Sequence, residues 1–133
     1  MSEENVELVR TAFDAYAAGG LDALAEFAAE DGVWYTAPEF IDAPDYRGHA
    51  GLRSLLSAFT DNFDEWTIDV IELRDAGDSV VALIEHGGKI KGTDTPLRQP
   101  MGLVYTDFRH GKIGGLRAFQ TWREARDAAG LSE

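Results

Sequence analysis

Glu85 and His86 stand side by side at the end of the apolar run Val80 to Ile84. Either side chain, set into a dry pocket, would do proton-transfer chemistry. A carboxylate removed from water has its pKa raised toward neutrality and becomes available as a general acid or base, and an imidazole titrates in that range already. On a strand, neighbouring side chains point to opposite faces of the sheet, so at most one of the two serves a given pocket. Tyr35 and Tyr16 add phenol hydroxyls, and Gln120 adds an amide that can orient a carbonyl or hydroxyl. The chain has no cysteine, which removes thiolate nucleophiles, disulfides and Cys-based zinc sites. His49, His86 and His110 lie too far apart for a metal-binding spacing, and neither a Gly-rich phosphate loop nor a Ser-His-Asp order is present. No metal and no cofactor are expected.

The elements that must carry these side chains follow from periodicity. Val6, Val9, Phe13, Tyr16 and Ala17 form one stripe of a first helix that ends at Gly19 and Gly20. Leu21, Leu24, Phe27 and Ala28 repeat the spacing over a shorter second helix, closed by Glu30, Asp31 and Gly32, before a short strand at Val33, Trp34 and Tyr35. Residues 36 to 48 carry two prolines and several acids and read as an irregular loop, placed to sit over a cavity mouth. Leu52, Leu55, Leu56, Phe59 and Phe63 mark a third helix. The period then changes to two. Trp66, Ile68 and Val70 alternate, whereas Ile71 and Leu73 continue on the opposite parity, which predicts one extra residue, a bulge, near 70 and 71. Ala76 to Ser79 forms a hairpin turn into the strand of Glu85, a further strand runs over about 101 to 109, a last one over 112 to 121, and a short helix over 122 to 130 closes the chain. This order is α+β: a curved, mainly antiparallel sheet wrapped around the N-terminal helices, enclosing a conical hollow.

With 133 residues, 44% of them hydrophobic, and no linker or repeat, residues 1–133 read as one domain. Twenty-four acids against twelve bases give a net charge of −12. That field repels phosphate backbones and anionic lipid, so neither nucleic acid nor a membrane surface is an expected partner. The N-terminus has no basic segment followed by an apolar one, and the longest apolar run is too short to span a bilayer, so a cytoplasmic protein is expected.

Four short motifs, in order along nearly the whole chain, carry a resemblance: Ala18 to Asp22 at the first helix junction, Tyr46 to His49 before the third helix, Ala76 to Asp78 in the hairpin, and Gly111 to Ile113 before the last strand. The chain resembles the SnoaL-like branch of the nuclear transport factor 2-like superfamily of cone-shaped domains. That superfamily holds polyketide cyclases, isomerases, hydrolases, dehydratases and non-catalytic proteins, and fold alone does not choose among them. Compared with ketosteroid isomerases, the family's helix tyrosine falls at Ala12, its base aspartate at about Tyr35 and its oxyanion-hole aspartate at about Val104, so that catalytic set is not kept. The last-strand aspartate of limonene epoxide hydrolases falls at Ala118, and the aspartate that often ends the last SnoaL-like strand falls at Thr121.

The resemblance also implies which strand positions face the hollow: Leu116, Ala118 and Gln120 on the last strand, and Val81, Leu83 and Glu85 on the opening one. His86 then faces the convex side, although a slip of one residue would place it inside. On this reading Glu85 and Tyr35 are the candidate catalytic residues, and Tyr16, Trp66, Val104, Leu116, Ala118 and Gln120 the candidate substrate contacts. The expected ligand is a mid-sized, mostly apolar molecule, polyketide-, terpenoid- or steroid-like, and the expected activity a cofactor-independent isomerisation, cyclisation, dehydration or hydrolysis, with a non-catalytic ligand-binding or dimerisation module as the alternative. A homodimer is expected to cover Val80, Ala82 and Ile84 on the convex face.

Overall fold

The computed structural model describes residues 2–35 and 46–131. Helix α1 (Ser2–Ala25) buries Val9 and Ala12 and breaks at Gly20, whose φ of 75° and ψ of −159° suit a residue without Cβ. The two helical stripes read from the sequence are therefore the two halves of a kinked helix. The second half stops sooner than its apolar spacing suggests. Ala28 and Ala29 already belong to strand β1 (Ala28–Tyr35), buried beside β6, and the Ile113 amide donates to the Phe27 carbonyl at 2.7 Å. A two-residue strand β2 (Tyr46–Arg47) precedes helix α2 (Gly48–Thr60), and most of the predicted loop over the cavity mouth lies outside the described residues.

Strands β3 (Phe63–Asp75), β4 (Val80–Ile90), β5 (Pro96–Thr106) and β6 (Ile113–Phe119) form the expected antiparallel meander. Helix α3 (Trp122–Ala128) follows, with Thr121 as its N-cap accepting from the Glu124 amide. The sheet order is β2-β1-β6-β5-β4-β3, with β1 parallel to β6. The architecture is the α+β cone, an open six-stranded sheet curved around the helices. The expected bulge is present: Val70 pairs with Ile84 and Glu72 with Leu83, which leaves Ile71 as the extra residue. A second irregularity separates the pairs Asp64 with Lys89 and Thr67 with Gly87, and Glu65 there has a φ of 58°. Each added residue bends the strand and tightens its twist, which curves the sheet into a cone.

Gly87 and Gly88 do not break β4. The strand runs through them, and their lack of side chains lets neighbouring backbones approach: a Cβ at Gly87 would overlap the Leu97 carbonyl, and one at Gly88 would lie 2.6 Å from the Asp64 carbonyl oxygen.

The centre of the meander is packed on both faces. On the concave side Ala82, Ile84, Met101, Leu103, Leu116 and Ala118 meet Val9 and Ala12 of α1 and Leu52 and Leu55 of α2. On the convex side Val81, Leu83, Val104 and Phe119 pack with Ala125 of α3. Gly102 makes that docking possible, because a Cβ there would occupy the space of the Ala125 methyl. The Trp122 indole N–H reaches across to the Ile84 carbonyl at 3.0 Å. The expectation that Val80, Ala82 and Ile84 form an outer face is thus corrected: they point inward, and the apolar outer face is covered by the chain's own terminal helix. No helix among the described residues is long and apolar enough to cross a membrane.

Candidate functional site

Between the concave sheet and the two long helices lies a cavity with about 880 Å³ of atom-free space, counting the part open to solvent. Its wall is almost wholly apolar and aromatic, with Phe13, Phe27, Trp34 and Trp66 among aliphatic side chains. Among the described residues three titratable side chains line it: Tyr16 from α1, His86 from β4 and Tyr105 from β5. Among the described residues no carboxylate, lysine or arginine does.

Cross-strand register brings these groups together. Ile68 of β3 pairs with His86, so Trp66, two residues earlier on the same face, is the diagonal neighbour of the imidazole. Its indole Nε1–H donates to His86 Nδ1 at 3.0 Å. The edge of the Phe63 ring meets the imidazole at 6.0 Å between centroids, and Tyr16 stands edge-on to Trp66 at 6.1 Å. An indole nitrogen can only donate, so Nδ1 must accept and the proton of the neutral ring sits on Nε2. Burial keeps His86 neutral by holding its pKa below the ordinary imidazole value, and the positive charge of Arg98 acts in the same sense. Burial likewise pushes the phenols of Tyr16 and Tyr105 above the usual tyrosine range. The cavity therefore carries no formal charge from these three groups at neutral pH. An N–H donor of this kind polarises or orients a carbonyl, whereas removing a proton with it requires the other tautomer.

Four of the eight residues singled out from the sequence lie in this wall: Tyr16, Trp66, Leu116 and Ala118. The other four are placed elsewhere. Glu85 pairs with Asp69 and Pro100 on the convex side, the side opposite His86, so its expected place in the cavity is corrected. Val104 shares that outer face and is buried against Phe119 and Ala125. Tyr35 is exposed under the Arg117 guanidinium, 5.3 Å from its ring centre, while its neighbour Trp34 takes the inward position and donates to the Gly48 carbonyl at 2.8 Å. Gln120 lies beyond the end of β6 and is exposed. His49 lies outside the cavity wall, with Nε2 2.9 Å from the Ala28 carbonyl oxygen, where it ties α2 to β1.

Tyr105, Trp34 and Phe13 belong to the wall without having been singled out as ligand contacts, and His86 enters it by the one-residue slip. A signal for His86 exists in the sequence. Counting back from the hairpin, Asp75 pairs with Val80, and carrying the count through one extra residue at 71 sets Ile68 opposite His86. The bulge that the alternation reveals thus puts His86 on the same face as Ile68, and the packing of the helices makes that face the inner one.

A family model described as a SnoaL-like domain matches residues 9–114. No curated protein sequence matches the chain. Among solved structures, an NTF2-like protein from Burkholderia xenovorans LB400 is 25% identical, with 97% of this chain and 98% of that one covered at a TM-score of 0.68. A putative SnoaL-like polyketide cyclase from Jannaschia sp. CCS1 is 18% identical, with 98% and 93% covered at a TM-score of 0.73. A ketosteroid isomerase-like-fold protein from Catenulispora acidiphila DSM 44928, solved in complex with trimethylamine, is 22% identical, with 90% and 92% covered at a TM-score of 0.66.

Proposed function

The chain belongs to the SnoaL-like domain family, and on that premise we propose that its cone binds a mid-sized, mostly apolar molecule of polyketide, terpenoid or steroid type. The observation that carries this reading is the wall itself: among the described residues it is aromatic and aliphatic, with one imidazole and two phenols as its titratable groups. Such a surface gains free energy by taking an apolar body out of water, at about 25 cal/mol per Å² of buried area, while a few polar groups set its orientation. The complex of the Catenulispora relative with trimethylamine supports small-molecule binding on this fold.

A second reading adds a cofactor-independent isomerisation, cyclisation, dehydration or hydrolysis of the bound molecule. It is supported by His86 and Tyr16 sharing one cavity, where a neutral N–H and a phenol would polarise a carbonyl. Glu85 has no part in it, being on the far face. A homodimer also belongs to this proposal, with support from exposed Val70 and Ile71 on edge strand β3. Sedimentation as a monomer at micromolar concentration would remove the dimer.

Titration of ¹⁵N-labelled protein with 1-tetralone, a bicyclic aromatic ketone, tests the binding reading. The amides of Ile84, Met101 and Leu116 shift together on one saturable curve if the cavity is the site. Unchanged spectra at millimolar ligand would overturn the proposal.

A further inference from the structure

Tyr105 stands on the inner face of β5, paired with Val80 of β4 and Leu116 of β6, and its ring meets the Phe13 ring edge-on at 6.1 Å between centroids. Its hydroxyl forms no hydrogen bond among the described residues. No buried side-chain polar atom of those residues lacks a partner, so this unbonded oxygen keeps open surface, and the free space beside it is the cavity. We infer that Tyr105 is a specificity-determining residue: its hydroxyl takes its partner from whatever fills the hollow, so that the cavity selects apolar molecules carrying a ketone or hydroxyl oxygen over hydrocarbons of the same shape. This rests on the binding reading above and narrows its ligand class.

The surroundings of the phenol explain why the occupant matters. Val80 and Leu116 on the neighbouring strands, Leu103 two residues back on the same strand face, and the Phe13 ring of α1 bring no polar side-chain atom to it. Burial alone pushes its pKa above the usual tyrosine range, with no hydrogen bond contributing. The group is therefore a neutral O–H at physiological pH, which donates to a ketone and either donates to or accepts from an alcohol. Tyr16 differs: it stands edge-on to Trp66 beside His86, where an indole and an imidazole supply polar atoms. The β4 residue opposite Tyr105 is Val80, and from Val80 to His86 the strand runs about 20 Å at ~3.3 Å per residue, so Tyr105 and His86 mark two ends of the hollow. A ligand that fills the Tyr105 end displaces the water that would otherwise serve the hydroxyl. A hydrocarbon leaves that O–H stranded among apolar side chains, whereas a ketone or hydroxyl oxygen returns the bond.

The experiment compares the wild type with Tyr105→Phe, which keeps the ring and removes the hydroxyl. Because that hydroxyl holds no bond within the protein, the variant is expected to melt at or above the temperature of the wild type. A clear fall in melting temperature, or failure to fold, would reveal a protein partner and overturns the inference. Amide titrations of both proteins with 1-tetralone, 1-tetralol and tetralin then read selectivity. Each compound is compared with itself between the two proteins, which cancels its own transfer from water. Tyr105→Phe is expected to weaken the ketone and the alcohol by about fivefold, the size of one neutral hydrogen bond, and to leave tetralin within about twofold or bound more tightly. Equal changes for all three compounds, or no change for any, overturn this inference alone. Failure of all three to bind the wild type overturns the binding reading and this inference with it.

Discussion

Glu85 and His86 are bonded neighbours on β4 that face opposite sides of the sheet: Glu85 pairs with Asp69 and Pro100 on the convex side, and His86 lines the cavity opposite Ile68. A strand separates what the sequence places together, and any function of the pair must be divided between two surfaces.

The first prediction uses that division. Glu85→Gln leaves the affinity for 1-tetralone within about twofold, because the residue does not reach the cavity. His86→Leu keeps the apolar volume and removes the donor, and it weakens binding by about 1 kcal/mol, the net value of one neutral hydrogen bond. Calorimetry on both variants checks this, and a larger loss in Glu85→Gln than in His86→Leu would refute the placement.

The pH dependence of stability follows from the depressed pKa of His86. In the unfolded chain the imidazole takes a proton below about 6.5, whereas in the folded chain burial and Arg98 delay protonation to lower pH. The unfolded state then binds more protons, so this contribution is fully present above about pH 6.5 and is lost as pH falls toward the folded-state value. Urea unfolding at pH 7.5 and pH 5.5 is expected to show a drop in stability that is smaller in His86→Leu. An equal drop in the two proteins would show that other groups cause it.

The contact of Gly102 with Ala125 predicts a steric effect on the outer face. Gly102→Ala places a methyl where the Ala125 methyl already sits, so α3 must shift, at about 1–3 kcal/mol by the usual cost of overpacking. Thermal unfolding would show it, and the paired change Ala125→Gly is expected to recover part of the loss. A Gly102→Ala protein as stable as the wild type would contradict the close approach.

Trp34 is 2% exposed and donates to the Gly48 carbonyl at 2.8 Å, so it fixes the start of α2 against β1. Trp34→Phe removes that bond and leaves a void, with an expected destabilisation of about 1–3 kcal/mol. Denaturant titration measures it. The same change made at exposed Tyr35 is expected to have little effect.

Much of the fold was legible in the sequence because its signals are local. The stripes of α1 and α2, the break at Gly20, the Ala76 to Ser79 turn and the extra residue at Ile71 each follow from the periodicity or chemistry of a few adjacent residues. So does the absence of thiol chemistry. Leu116 and Ala118 were pointed at the hollow by the resemblance, and Tyr16 by its helical spacing from the position that the resemblance gives to Ala12; both strand residues and the tyrosine lie in the wall.

The inward side of β4 could not be read in that way. Val80 to Ile84 are all buried, one set under the cavity wall and the other under α3, so no polar alternation marks a solvent face and both parities look alike. Likewise, Ala28 and Ala29 continue a helical spacing and become strand only because β6 is there to pair with them. The sequence by itself determined the kinds and order of the elements and the bulge that curves the sheet. Only the tertiary structure decided that His86 rather than Glu85 enters the cavity and that Trp66 meets it there, because both depend on pairings between strands whose residues lie far apart along the chain.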